Sequence, residues 1–306
     1  MATYELKWIN EQAKQNTKLF INNCEQNYIN QIQDTAEKLV YNHKEKPIVL
    51  LCGPSSSGKT TSADRLCRAI SKLGIKVNYI SMDDYYLSRG SYEVPWDDEN
   101  GVYDFESPLC MDLPLLHEHL QKLTEGKQIE VPTFDFELKQ RTNEVKKLSL
   151  SNDSMVVIEG IHAFNDTLMG GLEQKATGVY ISLASSLNIG KSIITPDQLR
   201  FLRRAVRDAN FRGASVETTI KQWKSVRRGE RIYIDPYKSF AQHNIDSYLP
   251  YETLILMDML KNEIETKENE LIKAGLGSIC DAEKLFCSIN YKDYMPEASV
   301  LHEFVG

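Results

Sequence analysis

Long apolar runs are missing from this sequence. The strongest ones, Ile48–Cys52 and residues 254–260, are far shorter than the roughly 20 residues that a bilayer-spanning helix needs. The first residues include Glu5, Lys7 and Glu11, so no apolar segment of a signal peptide is expected there. We therefore expect a cytoplasmic protein with no membrane partner.

Cysteines in C-x-x-C spacing are also lacking, as is the N-K-x-D signature by which GTPases recognise guanine. The six cysteines present are therefore expected to be reduced, buried thiols. The missing N-K-x-D signature argues against a GTPase.

Neither sign of charge dominates the composition. The 306 residues include 36 Lys and Arg against 43 Asp and Glu, which gives a formal net charge of −7. A mildly acidic chain is not a general binder of nucleic acid or of anionic membranes. The 42% of hydrophobic residues excludes a largely disordered chain and is enough for a full core without disulfide or metal staples.

The middle of the chain alternates short apolar runs with helical periodicity. This rhythm predicts an α/β fold, in which a mostly parallel sheet carries helices on both faces. We expect strands and helices in the following order: strand Ile48–Cys52, helix 57–73, strand 76–82, helix 108–123, strand 155–158, strand 179–183, helix 197–211 and helix 215–228.

Two segments interrupt this alternation. Residues 84–107 are aromatic and acidic with Gly and Pro breaks, and residues 127–150 have the pattern of a small β-hairpin. Such excursions often carry substrate contacts.

Helical extensions are expected at both ends. Residues 1–45 predict one or two amphipathic helices that pack on the main domain. The C-terminal stretch predicts a helix over 251–274, a break at Gly275 and Gly277, and a second helix near 281–289. The length is typical of about two domains, or of one large domain with additions. We divide the chain into an N-terminal extension at 1–46, a central domain at 47–250 and a C-terminal extension at 251–306.

The clearest motif is a phosphate-binding P-loop that follows the first buried strand. Its residues fit G-x-x-x-x-G-K-[ST] and are Gly53, Pro54, Ser55, Ser56, Ser57, Gly58, Lys59 and Thr60. Glycines let backbone amides approach phosphate oxygens, and the helix that follows points its N-terminal amides at the same charge. Lys59 would contact the β- and γ-phosphates, Thr60 would bind Mg²⁺, and the adjoining Thr61 is included in the nucleotide site.

Two carboxylates follow other strands. Asp83, in S-M-D-D-Y-Y, is a candidate general base, because the carboxyl ends of parallel strands line the ligand crevice. Its alternative is a turn or N-cap aspartate. Glu159 ends V-V-I-E, where a carboxylate beside a P-loop can hold Mg²⁺, and its alternative is a surface acid.

Arginine is concentrated between residues 200 and 231, where ten Lys and Arg face three acidic residues. A basic island in an acidic chain suits a phosphate clamp that closes over ATP. A solvated helix face or an RNA contact would produce a similar pattern.

Taken together, these pieces resemble the uridine kinase/phosphoribulokinase family of P-loop kinases, and bacterial uridine kinase-like proteins within it. The resemblance covers about residue 47 to the C-terminus. The matching motifs are G-P-S-S-S-G-K-T, S-M-D-D-Y-Y-L-S-R, Y-D-F-E-S-P, V-P-T-F-D-F, V-V-I-E-G-I-H, R-F-L-R-R-A-V-R-D-A-N-F-R-G, Q-W-K-S-V-R-R-G-E and S-V-L-H-E-F-V-G.

The resemblance implies the three-layer P-loop NTPase fold and transfer of the ATP γ-phosphate to a nucleoside hydroxyl, with Mg²⁺. It carries roles to matching positions: Asp83, Lys59 and Arg203 for catalysis, Thr60 and Glu159 for Mg²⁺, Arg207 and Arg212 for the mobile lid over ATP, and Tyr85, Glu106, Phe134, Lys139, Arg200 and Arg203 for the acceptor. A homo-oligomer is an open expectation, and no nucleic-acid partner is expected.

Two departures from the family pattern touch the acceptor and not the phosphate chemistry. Lys139 stands where uridine–cytidine kinases carry a base-pocket histidine, and Thr218 stands where they carry a glutamine. Three functions therefore remain: a uridine/cytidine kinase, a kinase of a sugar, polyol or pantothenate-like molecule, and a nucleotide sensor without transfer activity.

Overall fold

A five-stranded, all-parallel sheet lies at the centre of the protein, in a computed structural model that describes residues 2–151 and 153–306. The strands are β1 Thr3–Glu5, β2 Ile48–Cys52, β3 Lys76–Ser81, β4 Trp96–Asp97, β5 Val102–Tyr103, β6 Ile129–Asp135, β7 Gln140–Leu148, β8 Ser154–Glu159, β9 Ala176–Ser182, β10 Ser186–Asn188, β11 Ile193–Ile194 and β12 Ala241–Asp246. The central sheet has the order β12-β9-β2-β8-β3.

The helices cover both faces of this sheet. They are α1 Leu6–Tyr41, α2 Lys59–Lys72, α3 Leu113–Thr124, α4 Asp166–Met169, α5 Pro196–Phe211, α6 Val216–Tyr233, α7 Glu252–Met259, α8 Lys261–Thr266, α9 Glu268–Lys273, α10 Gly277–Ala282 and α11 His302–Val305. Short 3₁₀ turns lie at Met82–Tyr85, Pro108–Cys110, Asp235–Phe240 and Glu283–Leu285. Among the described residues, no helix is long and apolar enough to span a bilayer.

Side-chain alternation along the central strands builds two hydrophobic layers. Val49 and Leu51 of β2 belong to the layer beneath α1, α2 and α5, whereas Ile48 and Leu50 belong to the layer beneath α3. All residues of β2 and β8 are buried because both faces are covered, which explains why these strands are continuous apolar runs. The predicted α/β fold with a parallel sheet is confirmed.

The two excursions are small antiparallel ladders. The hairpin β6–β7 matches the expected β-excursion, and the β4–β5 ladder lies within the aromatic segment 84–107. Edge strand β12, with the sequence AQHNID, was not expected, because Ile245 is its one fully buried residue and it lacks an apolar run.

Both ends of the chain pack on the helical layer of the central domain. Helix α1 has a kink at Asn16 and contacts α2, where the Tyr28 and Ser62 hydroxyls are hydrogen-bonded at 2.6 Å. Its apolar residues share one core with α5, α7 and the C-terminal segment.

The expected second C-terminal helix near 281–289 is wrong in its position. Helix α10 begins at Gly277 and ends at Ala282, and a single 3₁₀ turn follows it. The reason is a tertiary contact: the Asn10 side chain donates to the Leu285 carbonyl and accepts from the Cys287 amide, so these backbone groups bond to α1 instead of continuing a helix. Of the cysteines, Cys24, Cys52 and Cys110 are buried as expected, whereas Cys67, Cys280 and Cys287 are only partly buried.

Candidate active site

The P-loop connects β2 to α2 at the carboxyl edge of the sheet. Ser56 and Gly58 adopt left-handed φ angles of 60° and 78°, which turn successive backbone amides into one concave nest. The hydroxyls of Ser56 and Ser57 are buried and have no hydrogen-bond partner. The Lys59 ammonium folds back on the loop and donates to the Pro54 carbonyl at 3.1 Å. Unpaired donors and a nearby cation fit the phosphates of a nucleotide.

Close packing is one reason why the P-loop has glycine at positions 53 and 58. A Cβ at Gly53 would lie 2.1 Å from the Ile181 carbonyl oxygen of β9, and one at Gly58 would lie 2.5 Å from Val300. The C-terminal segment therefore supports the loop from below. In the same segment, Glu303 accepts a hydrogen bond from the Thr61 hydroxyl at 3.1 Å, while Thr60 at the start of α2 is exposed.

Two carboxylates converge beside Lys59. In the parallel pairing of β3 and β8, Ser81 lies opposite Glu159, so Asp83 on the turn after β3 lies at the same edge of the sheet. Burial raises the pKa of Glu159 to about 7, opposed by Lys59 and reinforced by Asp83, and the Tyr79 hydroxyl donates to Glu159 at 3.2 Å. Thr60 and Glu159 are oxygen ligands of the kind that Mg²⁺ prefers.

Asp83 sits exposed at the mouth of the cleft. The surrounding protein raises the pKa of its carboxyl, and the positive charges of Lys59 and Arg212 oppose this rise. The structure thus brings Lys59, Asp83, Glu159 and Arg212, to which the resemblance gives a lid role, to one region. A carboxylate here can accept a hydroxyl proton once an acceptor is bound.

Four arginines of α5 are buried and bonded to other protein groups, namely Arg200, Arg203, Arg204 and Arg207. Arg200 binds Glu230 through two nitrogens, at 2.5 and 2.7 Å, and donates to the Ser55 carbonyl at 3.0 Å. Arg207 pairs with its neighbour Asp208 at 2.8 Å. Arg200 thus holds the P-loop backbone. We expected its guanidinium to contact the acceptor, but these protein groups already occupy it.

Arg203 is fully buried, although we expected it to contact the acceptor and take part in catalysis. It forms two hydrogen bonds with Glu252, at 2.8 and 2.6 Å, and donates to the carbonyl and hydroxyl of Ser247. Ser247 in turn donates to the Ser57 carbonyl at 2.6 Å. Because every nitrogen of Arg203 is engaged behind the P-loop, it acts as a positioning residue in this structure and not as a catalytic one.

Arg204 is a site residue that motif reasoning overlooked. It donates to the Ser55 hydroxyl at 2.8 Å and lies 3.9 Å from the Glu106 carboxylate, and so links the P-loop to the predicted acceptor site. Glu106 is held close to α6, where a Cβ at Gly229 would lie 2.5 Å from the Glu106 Cβ. Nearby, Asp104 accepts hydrogen bonds from Arg228 and Tyr233 at 3.0 and 2.9 Å.

The assignment of Tyr85 to the acceptor site is wrong. Tyr85 is 0% exposed and its hydroxyl is hydrogen-bonded to Nδ1 of His119 at 2.8 Å, inside the layer beneath the sheet. The 3₁₀ turn directs the next residue, Tyr86, toward the cleft, where its ring lies 5.8 Å from that of Phe134. Burial raises the pKa of Tyr86, and the negative charges of Asp83 and Glu106 add to this rise.

An aromatic cavity of about 250 Å³ opens beside Tyr86. Aromatic side chains form most of its wall, and Arg89 and Lys139 are the charged residues of its lining; the aromatic residues are Tyr86, Tyr92, Phe105, Phe134 and Phe136. Lys139 has a left-handed φ of 55° in the turn between β6 and β7, and its carbonyl accepts from the Arg89 amide at 2.9 Å. Thr218 instead pairs with Ser215 as part of the N-terminal cap of α6.

Comparison with known proteins agrees with this geometry. The family model described as "Phosphoribulokinase / Uridine kinase family" matches residues 48–253. A uridine kinase of Borrelia turicatae is 32% identical over 195 residues, which are 63% of this chain and 83% of that protein. A uridine kinase of Lactobacillus helveticus is 29% identical over 231 residues, 74% of this chain and 98% of that protein.

A solved structure described as a "Possible Uridine Kinase" from Bacillus stearothermophilus has 20% identity and a TM-score of 0.43, and the match covers 70% of this chain and 98% of that one. The family match spans the P-loop, both carboxylates, α5 and α6. The chain belongs to the phosphoribulokinase/uridine kinase family of P-loop kinases.

Proposed function

We propose that this protein phosphorylates the 5′-hydroxyl of a pyrimidine nucleoside, with ATP as the donor and Mg²⁺ as the cofactor. The observation that supports this proposal is the continuity of two sites. Tyr86 is close enough to Asp83 for the charge of that carboxylate to raise its pKa, and Tyr86 also lines an aromatic cavity of nucleobase size. A flat base in the cavity would leave its sugar hydroxyl toward Asp83.

The roles of the chain's own residues follow from their positions. The amides and hydroxyls of Ser56 and Ser57 would bind the phosphates, and Lys59 would neutralise their charge. Thr60 and Glu159 would hold Mg²⁺, which supplies charge stabilisation on the transferring phosphoryl group. Asp83 would orient the acceptor hydroxyl and take its proton, for which a raised pKa is favourable.

The acceptor would be held by groups on three elements. Phe134 of β6 would stack on the base, and Glu106 would accept hydrogen bonds from sugar hydroxyls. Lys139 and Arg89 offer only donors to the base, and these suit carbonyl oxygens such as those of uracil.

A second candidate rests on the same two cations. A cavity lined by Arg89 and Lys139 also suits an acceptor that carries a carboxylate or phosphate group, such as a pantothenate-like or sugar-acid molecule. In that case the phosphate chemistry would be unchanged and only the acceptor would differ.

The test is a coupled ADP-release assay with ATP and Mg²⁺ over a panel of nucleosides, sugars, polyols and pantothenate. We expect acceptor-dependent release with uridine or cytidine. Asp83→Asn should lower kcat by about 10²–10⁴ while ATP binding is largely kept. Lys59→Ala should impair both ATP binding and turnover.

Asp84→Asn is the matched control. The Asp84 carboxylate adjoins Asp83 but bonds weakly, at 3.4 Å, to the Phe134 amide. Its variant should therefore retain most of the activity. Equal losses in both variants would remove the general-base assignment, and release with a non-nucleoside alone would favour the second candidate. ATP binding without any acceptor-dependent release would indicate a nucleotide sensor.

A further inference from the structure

His162 lies three residues beyond Glu159, just after the carboxyl end of β8. Its side chain is 1% exposed, and neither ring nitrogen has a hydrogen-bond partner. A neutral imidazole carries one N–H donor and one acceptor nitrogen. Leaving such a group unbonded inside a protein is unfavourable, and an aromatic residue without polar atoms would avoid this cost.

His119, the other buried histidine among the described residues, shows the usual arrangement. His119 of α3 is hydrogen-bonded to the Tyr85 hydroxyl at 2.8 Å and packs edge-on against its ring. His162 packs in a similar way against Tyr233, with ring centroids 6.1 Å apart, but without a polar partner. Packing against Tyr233 therefore explains why an aromatic ring is found at position 162, but it does not explain why that ring carries two polar nitrogens.

The surroundings of His162 are those of the proposed acceptor site. Burial lowers the pKa of His162 to about 4; the backbone of Glu106 opposes this shift and the charge of Lys59 adds to it. His162 is thus neutral near pH 7. Its ring packs on Tyr233, and Tyr233 and Glu106 both adjoin Gly229 of α6, so His162 lies close to the acid predicted to hold the sugar. Glu106 is itself fixed by its close approach to Gly229.

We propose that His162 binds a sugar hydroxyl of the acceptor beside Glu106 and so helps to determine which acceptors are used. This inference rests on the proposed function. A neutral imidazole can donate to or accept from a hydroxyl, whereas the Glu106 carboxylate can only accept, so the pair would suit two neighbouring hydroxyls of a ribose. Both nitrogens of His162 are shielded from solvent here, so binding requires the Glu106 segment to shift slightly.

The experiment compares the wild-type enzyme with His162→Phe and His162→Asn. Each is assayed with uridine, 2′-deoxyuridine and 3′-deoxyuridine, while the ATP KM is followed in parallel. His162→Phe keeps the ring that packs on Tyr233 and removes both nitrogens. Loss of one neutral hydrogen bond, worth about 0.5–1.5 kcal/mol, should lower kcat/KM for uridine roughly 3- to 10-fold, and the ATP KM should be unchanged.

A structural role and a binding role differ in one readout. If His162 binds a hydroxyl, His162→Phe should cause no loss with the deoxy analogue that lacks this hydroxyl, and His162→Asn should recover part of the preference for uridine. His119→Phe is the matched control, because it removes a buried histidine outside the site and should affect the three nucleosides equally.

The outcomes separate the two proposals. Equal losses with uridine and both deoxy analogues, or no loss at all, would overturn the role of His162 and leave the proposed function intact. If the wild-type enzyme uses only another polyol, the nucleoside assignment is wrong, and that polyol and its deoxy analogues then decide the role of His162. A wild-type enzyme without acceptor-dependent ADP release would overturn both.

Discussion

The buried pair formed by Arg203 and Glu252 offers the sharpest test of how the P-loop is supported. Both side chains are 0% exposed, and two hydrogen bonds at 2.8 and 2.6 Å join them. Arg203 also lies over the ring of Phe304, with its guanidinium carbon 4.9 Å from the ring centroid. The pair therefore ties α5 to the start of α7 and to the C-terminal helix.

Removing either partner leaves an uncompensated charge in the interior. We therefore expect Arg203→Met and Glu252→Leu each to lower the free energy of unfolding by about 3–5 kcal/mol. The double variant should lose less than the sum of the two single losses, by about 0.5–3 kcal/mol, because no isolated charge remains. Urea denaturation followed by tryptophan fluorescence measures all three variants.

Arg68→Met is the control, because the Arg68 side chain is 73% exposed and forms an ion pair with Asp64 on the surface of α2. It should change the free energy of unfolding by less than about 1 kcal/mol. The reasoning would be refuted if Arg203→Met lowered kcat without a change in unfolding and Glu252→Leu had no effect. That result would mean that Arg203 contacts the reacting groups after all.

Three further predictions concern single side chains. Lys139→Met should lower kcat/KM for uridine by about tenfold, because a donor to a base carbonyl is lost, and should lower kcat/KM for cytidine by less. Equal losses of kcat/KM for the two nucleosides would contradict this prediction. Phe304→Ala should destabilise the protein by about 3–5 kcal/mol and weaken ATP binding, because Phe304 is fully buried against Arg203, which is linked to the P-loop through Ser247. Calorimetry and ATP titration measure these two effects, and an unchanged melting temperature would contradict the prediction. The pKa of Glu159 is raised on folding, so between about pH 4.5 and 7 the folded state binds more protons than the unfolded state. The melting temperature of the protein without ligand should therefore fall as the pH rises through this range, and Glu159→Gln should remove this part of the fall.

The residues that could be predicted from the sequence are those whose role is local. The P-loop is recognisable because its glycines, lysine and threonine act on phosphate through the backbone of one short loop. The strands β2 and β8 are recognisable because burial on both faces requires continuous apolar runs. Strand order then brings Asp83 and Glu159 to one edge, so their proximity followed from the parallel fold.

Residues whose role depends on distant partners were harder to predict. Tyr85 and Tyr86 are neighbours in one motif, and only the 3₁₀ turn decides that Tyr85 is buried against His119 while Tyr86 enters the cleft. The arginine island predicted a phosphate clamp, yet Arg200 and Arg203 are used by Glu230 and Glu252, which lie 30 and 49 residues away. Which arginines remain available to bind phosphate depends on which of them the fold brings next to a carboxylate.

The sequence alone determined the class of fold, the nucleotide-binding loop and the nature of the chemistry, because short-range periodicity and a contiguous motif carry that information. The tertiary structure decided which aromatic ring enters the cleft, which arginines serve as supports, and that Val300 and Glu303 of the C-terminal segment contact the P-loop. It also revealed His162 as a buried group without a partner. These features arise from contacts between residues far apart in the chain, and no local pattern of residues encodes them.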